Sequence, residues 1–323
     1  MARIYRELEI EKLVEGFNNL GNNMSVLLEA IKYGKKALKP LVSLLLSPPS
    51  IFSEPRCLAA EALGMIGGEE AVLGLIEVLD LYDLDSLDPQ VRFAEETVRD
   101  QAARQLGILG DAKAIGPLLK CLGGNHLRGA AEALACFREK RAIPDIIEML
   151  EDDYSRETAG KALLKFGKDA VPPLTETLSK PNYTPSRNET SLSVERRSEA
   201  ARLLGEIGDP RAIQPLLRRL EDEQKGVRLS AALALLEIGG DRVELVKAIP
   251  KLIAGLDDGD WYTTNLCIDA LLELNSEALP FVERALSARA TKNAKEEKVN
   301  LSEKAVEYLI GIEKRIKDKI HKD

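Results

Sequence analysis

Arg196–Glu223, RRSEAARLLGEIGDPRAIQPLLRRLEDE, holds two short helical patterns around a tight corner, Gly208-Asp209-Pro210. The first places Ala200, Ala201, Leu204 and Ile207 on one stripe. The second does the same with Ile213, Leu216, Leu217 and Leu220. Spacings of three and four residues set each group on one helical face. Two helices this short cannot bury their apolar faces alone, so the unit needs copies of itself to pack against.

The copies are present. The second-helix pattern, Ala-[Ile/Val/Leu]-x-x-[Leu/Ile/Val]-x-x-x-Leu, begins at Ala37, Ala71, Ala114, Ala142, Ala170, Ala212, Ala248 and Ala278. A leucine follows eight residues later in every case, from Leu45 to Leu286. Seven of the eight carry proline at the third or fourth position, and the Ala71 copy has Gly74 instead. Proline is tolerated in a first helical turn, where no backbone donor is needed, so the second helix starts near it and the Asp-x-x-Ala before it forms the corner.

Upstream of most copies runs Arg-x-x-Ala-[Ala/Gly]-x-x-Leu, with the arginine at Arg56, Arg99, Arg156, Arg197 and Arg228. The small pair lets neighbouring helices approach closely. The glycine that ends the pattern (Gly67, Gly110, Gly167, Gly208, Gly239) suits a left-handed terminal residue. Leu127–Arg138 and Thr264–Asn275 keep the apolar stripe but end on Arg138 and Asn275. Asparagine is a reasonable left-handed cap; arginine is unexpected there.

These residues resemble the HEAT-repeat superfamily, and within it the short HEAT-like repeats of the phycobilisome-lyase type, over roughly residues 23–288. The resemblance implies an all-α fold: a right-handed α-solenoid of about eight two-helix repeats with helical N- and C-terminal caps. Residues 1–22 read as the N-terminal cap, with Tyr5, Leu8, Leu13 and Phe17 among charges. Residues 289–323 read as a polar linker and a capping helix with Val306, Leu309, Ile310, Ile316 and Ile320 at helical spacing. The copies lie 28 to 43 residues apart, and the excess marks insertions near 47–55, 80–97 and 179–195. In the second of these, Asp88-Pro89 reads as an N-cap and first helical residue, which would start the next helix early. The third is rich in Ser, Thr, Asn and Pro, as mobile loops are. All three follow a second helix and so belong to one edge of a solenoid.

A net charge of −8 argues against a general nucleic-acid binder. The four cysteines, Cys57, Cys121, Cys136 and Cys267, fall within helical patterns and read as buried reduced thiols. The first residues carry no apolar signal segment, and no apolar run approaches the length of a membrane span, so a soluble, cytoplasmic chain is expected.

Catalytic constellations are sparse. There is no G-x-S-x-G, P-loop or Rossmann glycine pattern. The only histidines are His126 and His321. The HEAT-like deoxyhypusine hydroxylases bind iron through His-Glu pairs, but Leu127 and Lys322 follow the histidines here. Asp83, Asp85 and Asp88, and Asp257, Asp258 and Asp260, lack the full calcium-loop pattern and read as turn and N-cap residues. Trp261 reads as a staple at a helix entrance. No cofactor, metal or catalytic set is expected.

The resemblance also implies that the second helices line a concave face. Its polar positions include Glu77, Lys120, Glu148, Glu176, Arg218 and Arg284, a mixed series with one basic spot at Arg218-Arg219. With Tyr183 and Arg187 of the third insertion, these are the candidate partner-binding residues. The leading expectation is a non-catalytic protein-binding or assembly scaffold whose partner is another protein, elongated or helical. The alternative, from the resemblance alone, is a bilin lyase or lyase-like subunit acting on a phycobiliprotein cysteine.

Overall fold

The computed structural model describes residues 12, 16–18, 23–179, 191–239, 246–257, 261–290 and 301–321, and every regular element among them is a helix. The chain is an all-α solenoid of paired helices. Contacts divide it into two compact units, residues 1–166 and 167–323.

In the first unit the pairs are Asn23–Tyr33 with Leu38–Leu45, Glu54–Ile66 with Glu69–Val78, Pro89–Leu109 with Ile115–Asn125, and Arg128–Phe137 with Ile143–Glu148. Arg156–Phe166 closes the unit. First helices stack on first helices: Glu54–Ile66 on Pro89–Leu109, that on Arg128–Phe137, and that on Arg156–Phe166. The second helices form the other layer, with Leu38–Leu45 against Glu69–Val78 and Ile115–Asn125 against Ile143–Glu148.

The second unit repeats the scheme. Ser191–Ile207 packs on Lys225–Ile238, and Val171–Ser179 on Ile213–Arg219. Trp261–Leu274 and Leu279–Ala290 pack against the terminal helix Glu303–Ile320.

The core is the repeated Ala-Ala-x-x-Leu set. Ala59, Ala60 and Leu63, Ala102, Ala103 and Leu106, Ala130, Ala131 and Leu134, and Ala200, Ala201 and Leu204 are all fully buried. Each leucine so buried contributes about 1.5–3 kcal/mol. The closest approaches between first helices, however, come at glycines: at Gly129, where a Cβ would run into the backbone oxygen of Asp100, and one residue after the leucine. A Cβ on Gly107 would stand 2.7 Å from the Cα of Ala133, and one on Gly205 would stand 2.8 Å from the Cα of Ala234. The missing side chain there, more than the alanine pair, sets the helix spacing.

The corners form as their sequences require. Gly110 and Gly208 take φ of 71° and 68°, and Asp111 and Asp209 then accept from the N–H groups of Lys113 and Arg211 at 2.9 and 3.0 Å. Short 3-10 turns, Ala112–Ala114 and Pro210–Ala212, lead into the second helices. Arg138 and Asn275 adopt the same left-handed conformation, with φ of 54° and 47°, so Arg138 does act as a terminal residue despite its Cβ.

Four of the five signature arginines have a role that periodicity does not report. Arg56 Nε donates to the carbonyl of Leu45 at 2.8 Å, and Arg156 Nε to that of Leu150 at 2.9 Å. Arg99 Nη2 reaches the carbonyl of Tyr82, and Arg228 Nη1 those of Asp222 and Glu223 at 2.7 and 2.9 Å. Each of these four thus satisfies carbonyls left open at or just beyond the end of the preceding second helix.

Several expectations need correction. Residues 191–195 of the third insertion are helical, the first turns of Ser191–Ile207, and 180–190 lie outside the described residues. Cys121 and Cys267 are buried, but Cys57 is only partly so and Cys136 is exposed beside Lys165, whose Nζ lies 3.4 Å from Sγ. The terminal helix buries Leu309, Ile312 and Ile316 and turns Ile310 and Ile320 outward. Trp261 is 78% exposed and does not staple its helix. Of the N-terminal cap residues, Phe17 is fully buried and Tyr5, Leu8 and Leu13 lie outside the described residues.

Candidate functional site

The first unit departs from the repeat in two places, and the departures meet. Asp88 caps a helix that begins at Pro89, ten residues ahead of the signature Arg99, and its Oδ1 accepts from the N–H of Gln90 at 3.0 Å. The added turns carry Phe93, Glu96 and Thr97. The second departure is the corner after Ile115–Asn125, where His126 takes φ of 49° and turns the chain straight into Arg128–Phe137.

The added turns stand over this corner and over Asp152, Tyr154 and Ser155 from the next connection. Together they enclose a groove of about 220 Å³. Phe93 and Tyr154 are 61% and 62% exposed although each is aromatic. Among polar groups, Asp100 is the centre. It accepts from the N–H of Gly129 at 2.7 Å and from Arg128 Nη2 at 3.2 Å. The same Arg128 nitrogen meets the Tyr154 hydroxyl at 3.0 Å, and the guanidinium lies 3.9 Å over the ring. Burial pushes the Asp100 carboxyl up, against the lowering pull of the Gly129 hydrogen bond and the nearby arginines.

Behind the groove lies a buried ion cluster. Glu95 is fully buried, with Arg56 Nη2 at 3.3 Å and Arg99 Nε at 3.6 Å from its Oε1. It joins the second repeat to the third.

Asp83 and Asp88 serve as caps and Asp85 pairs with Arg92 at 2.9 Å. Asp257 accepts from the N–H of Ser302 at 3.2 Å, and Asp258 and Asp260 lie outside the described residues. Among the described residues no cluster of three His, Cys, Asp or Glu side chains is placed to hold a metal ion. Burial pushes the Cys57 thiol up to about 11 and raises that of Cys121, which makes both poor nucleophiles at neutral pH.

Glu77, Lys120, Glu148, Glu176, Arg218 and Arg284 are all exposed. Lys120 pairs with Asp80, and Glu148 lies 3.8 Å from His126 Nε2. Arg219 is half-buried and 3.2 Å from Asp222. Tyr183 and Arg187 lie outside the described residues. The groove residues Phe93 and Tyr154 were absent from the expected set. The signal available for them was an aromatic residue inside or next to a connection that the repeat does not need.

The fold and these repeats define a HEAT-type helical protein. Residues 189–272 match the HEAT repeats family, and residues 55–80 and 98–124 match the PBS lyase HEAT-like repeat family. Residues 189–272 thus carry HEAT repeats, and residues 55–80 and 98–124 carry repeats of the PBS-lyase type. The chain is 31% identical over 139 residues to the bilin biosynthesis protein RpcF of Synechococcus sp. (strain WH8020), which covers 41% of this chain. The chain spans 61% of that relative's length.

Among solved structures, importin beta covers 95% of this chain and 44% of its own, at 14% identity and a TM-score of 0.56. That likeness shows the fold. The complex of CpcE and CpcF of phycocyanin lyase from Nostoc sp. PCC7120 matches at 24% identity and a TM-score of 0.36, covering 75% of this chain and 92% of that one. No helix among the described residues is long and apolar enough to cross a membrane.

Proposed function

We propose that this chain is a bilin-lyase-type HEAT protein. In this reading it holds a protein partner and assists the attachment or removal of a tetrapyrrole on that partner's cysteine. The observation that carries the reading is the 31% identity to a bilin biosynthesis protein over 139 residues, joined to PBS-lyase-type repeats at 55–80 and 98–124. Co-expression with a bilin and a phycobiliprotein subunit tests it by visible absorbance of the purified subunit. A coloured covalent adduct that depends on this chain, or the chain-dependent loss of one, supports the reading. No change with any phycobiliprotein subunit, with or without a second lyase chain, overturns it.

A second reading is a non-catalytic scaffold that binds another protein. It is favoured by the exposed aromatic side chains Phe52, Phe93 and Tyr154 in or beside the connections of the first unit. Exposed rings of this kind are enriched where proteins meet. Native purification with mass spectrometry separates the two readings. A reproducible partner that carries no bilin favours the scaffold.

A further inference from the structure

The groove beside Phe93 carries an inference that does not depend on the bilin reading. Its volume of about 220 Å³ falls below the roughly 300–1,000 Å³ of small-molecule sites. It suits one anchoring side chain of a macromolecule, as interface pockets do. Phe93 supplies an exposed apolar wall, and Tyr154 stays largely exposed although the Arg128 guanidinium covers one face of its ring.

Charge decides which anchor fits. Glu96 and Asp152 line the groove, and Asp85, Asp88 and Asp153 lie on the segments that flank it. The nearby cations pair within this acidic set, Arg128 with Asp100, Arg92 with Asp85 and Glu96, and Arg156 with Asp153 at 2.6 Å, so these three guanidinium groups face six carboxylates, Asp85, Asp88, Glu96, Asp100, Asp152 and Asp153. Asp152 uses Oδ2 to accept from the N–H of Ser155 at 3.0 Å. The surface is thus apolar within and acidic at the rim. That arrangement suits a long cationic side chain, whose stem packs on the rings while its charge meets the carboxylates.

We propose that this groove docks a basic segment of a partner protein, anchored by a lysine or arginine lying along Phe93 and Tyr154 with its charge at Glu96 and Asp152. The test titrates the intact chain, by fluorescence anisotropy, into a fluorescein-labelled Lys/Arg-rich amphipathic peptide and into an Asp/Glu counterpart of equal length. The basic peptide should bind, the acidic one should not, and added salt should weaken the complex.

Phe93→Ala, and separately Glu96→Gln with Asp152→Asn, should each weaken binding about tenfold or more, while Ile108→Ala, exposed but outside the groove, leaves it unchanged. Unchanged melting temperatures exclude unfolding as the cause. Equal binding of the acidic peptide, or binding untouched by both groove variants, overturns the proposal. So does sedimentation in which Phe93→Ala abolishes self-association, which would assign the groove to a second copy. A bilin absorbance shift lost in Phe93→Ala would likewise assign it to a tetrapyrrole and overturn the docking role, whatever becomes of the lyase reading.

Discussion

Asp100 and Gly129 belong to different repeats, yet Asp100 Oδ1 accepts the backbone hydrogen of Gly129 at 2.7 Å, so one first helix caps the next. Leu127, at the N-cap position itself, has no side chain for the task. Asp100→Ala should therefore cost about 0.5–2 kcal/mol for the lost cap, read by urea denaturation. Asp100→Asn keeps an acceptor and should cost less. Burial raises the Asp100 pKa, so the neutral form is the one favoured by folding. Its contribution is full below the unfolded value and lost as pH rises through the folded one. The wild type should therefore gain stability relative to Asp100→Asn as pH falls through the upper carboxylate range. A constant difference across pH would contradict this.

Glu95 neutralises two guanidinium groups away from water. Glu95→Gln leaves both charges without a counter-ion and should destabilise the first unit by about 3–5 kcal/mol. Replacing all three members with apolar residues of similar volume, Arg56→Met, Glu95→Leu and Arg99→Met, should recover much of that loss. The recovery is partial, because Arg56 and Arg99 also hold carbonyls. Chemical denaturation of the two variants gives the comparison.

Two glycine-to-alanine changes should act with opposite sign. Gly107→Ala forces a methyl against the backbone of Ala133 and should cost about 1–3 kcal/mol despite alanine's better helix propensity. At Gly311, inside Glu303–Ile320, nothing lies within 4 Å of an added Cβ. There the same substitution should raise stability by up to about 1 kcal/mol. Thermal melts decide both.

Hydrogen bonds from the side chain and backbone of Arg211 pull the Asp209 pKa down to about 2. Because the folded value is depressed, its stabilisation is present above the unfolded value of about 3.9 and vanishes as pH falls towards 2. The stability gap between the wild type and Asp209→Ala should be constant near neutrality and shrink across that acid window. Urea titrations at stepped pH measure it.

The repeats, corners and early start at Pro89 were legible because they are local: a stripe, a glycine and a proline report themselves within a few residues. The arginine signature was equally visible, but its bond to Leu45 or Leu150 was not, since periodicity says which face is buried and not what lies across the repeat boundary. The groove escaped for the same reason. Phe93 and Tyr154 lie 61 positions apart in the chain, and only the stacking of first helices brings them to one place. Cys136 and Trp261 were misjudged because an apolar residue in a helical pattern need not face inward when the stripe beside it already fills the core.

The arginine bonds also define where this chain can be cut. Arg56 and Arg156 complete the helix before their own, so the bonded unit runs from the opening of one first helix through the arginine of the next. A repeat exchanged at its glycine corners keeps its carbonyl end and the arginine that bonds it within one piece. One excised between a second helix and the following arginine leaves an open carbonyl end on one side and an idle guanidinium on the other. Modular shortening or recombination of such chains should therefore succeed at the corners and fail at the opposite edge.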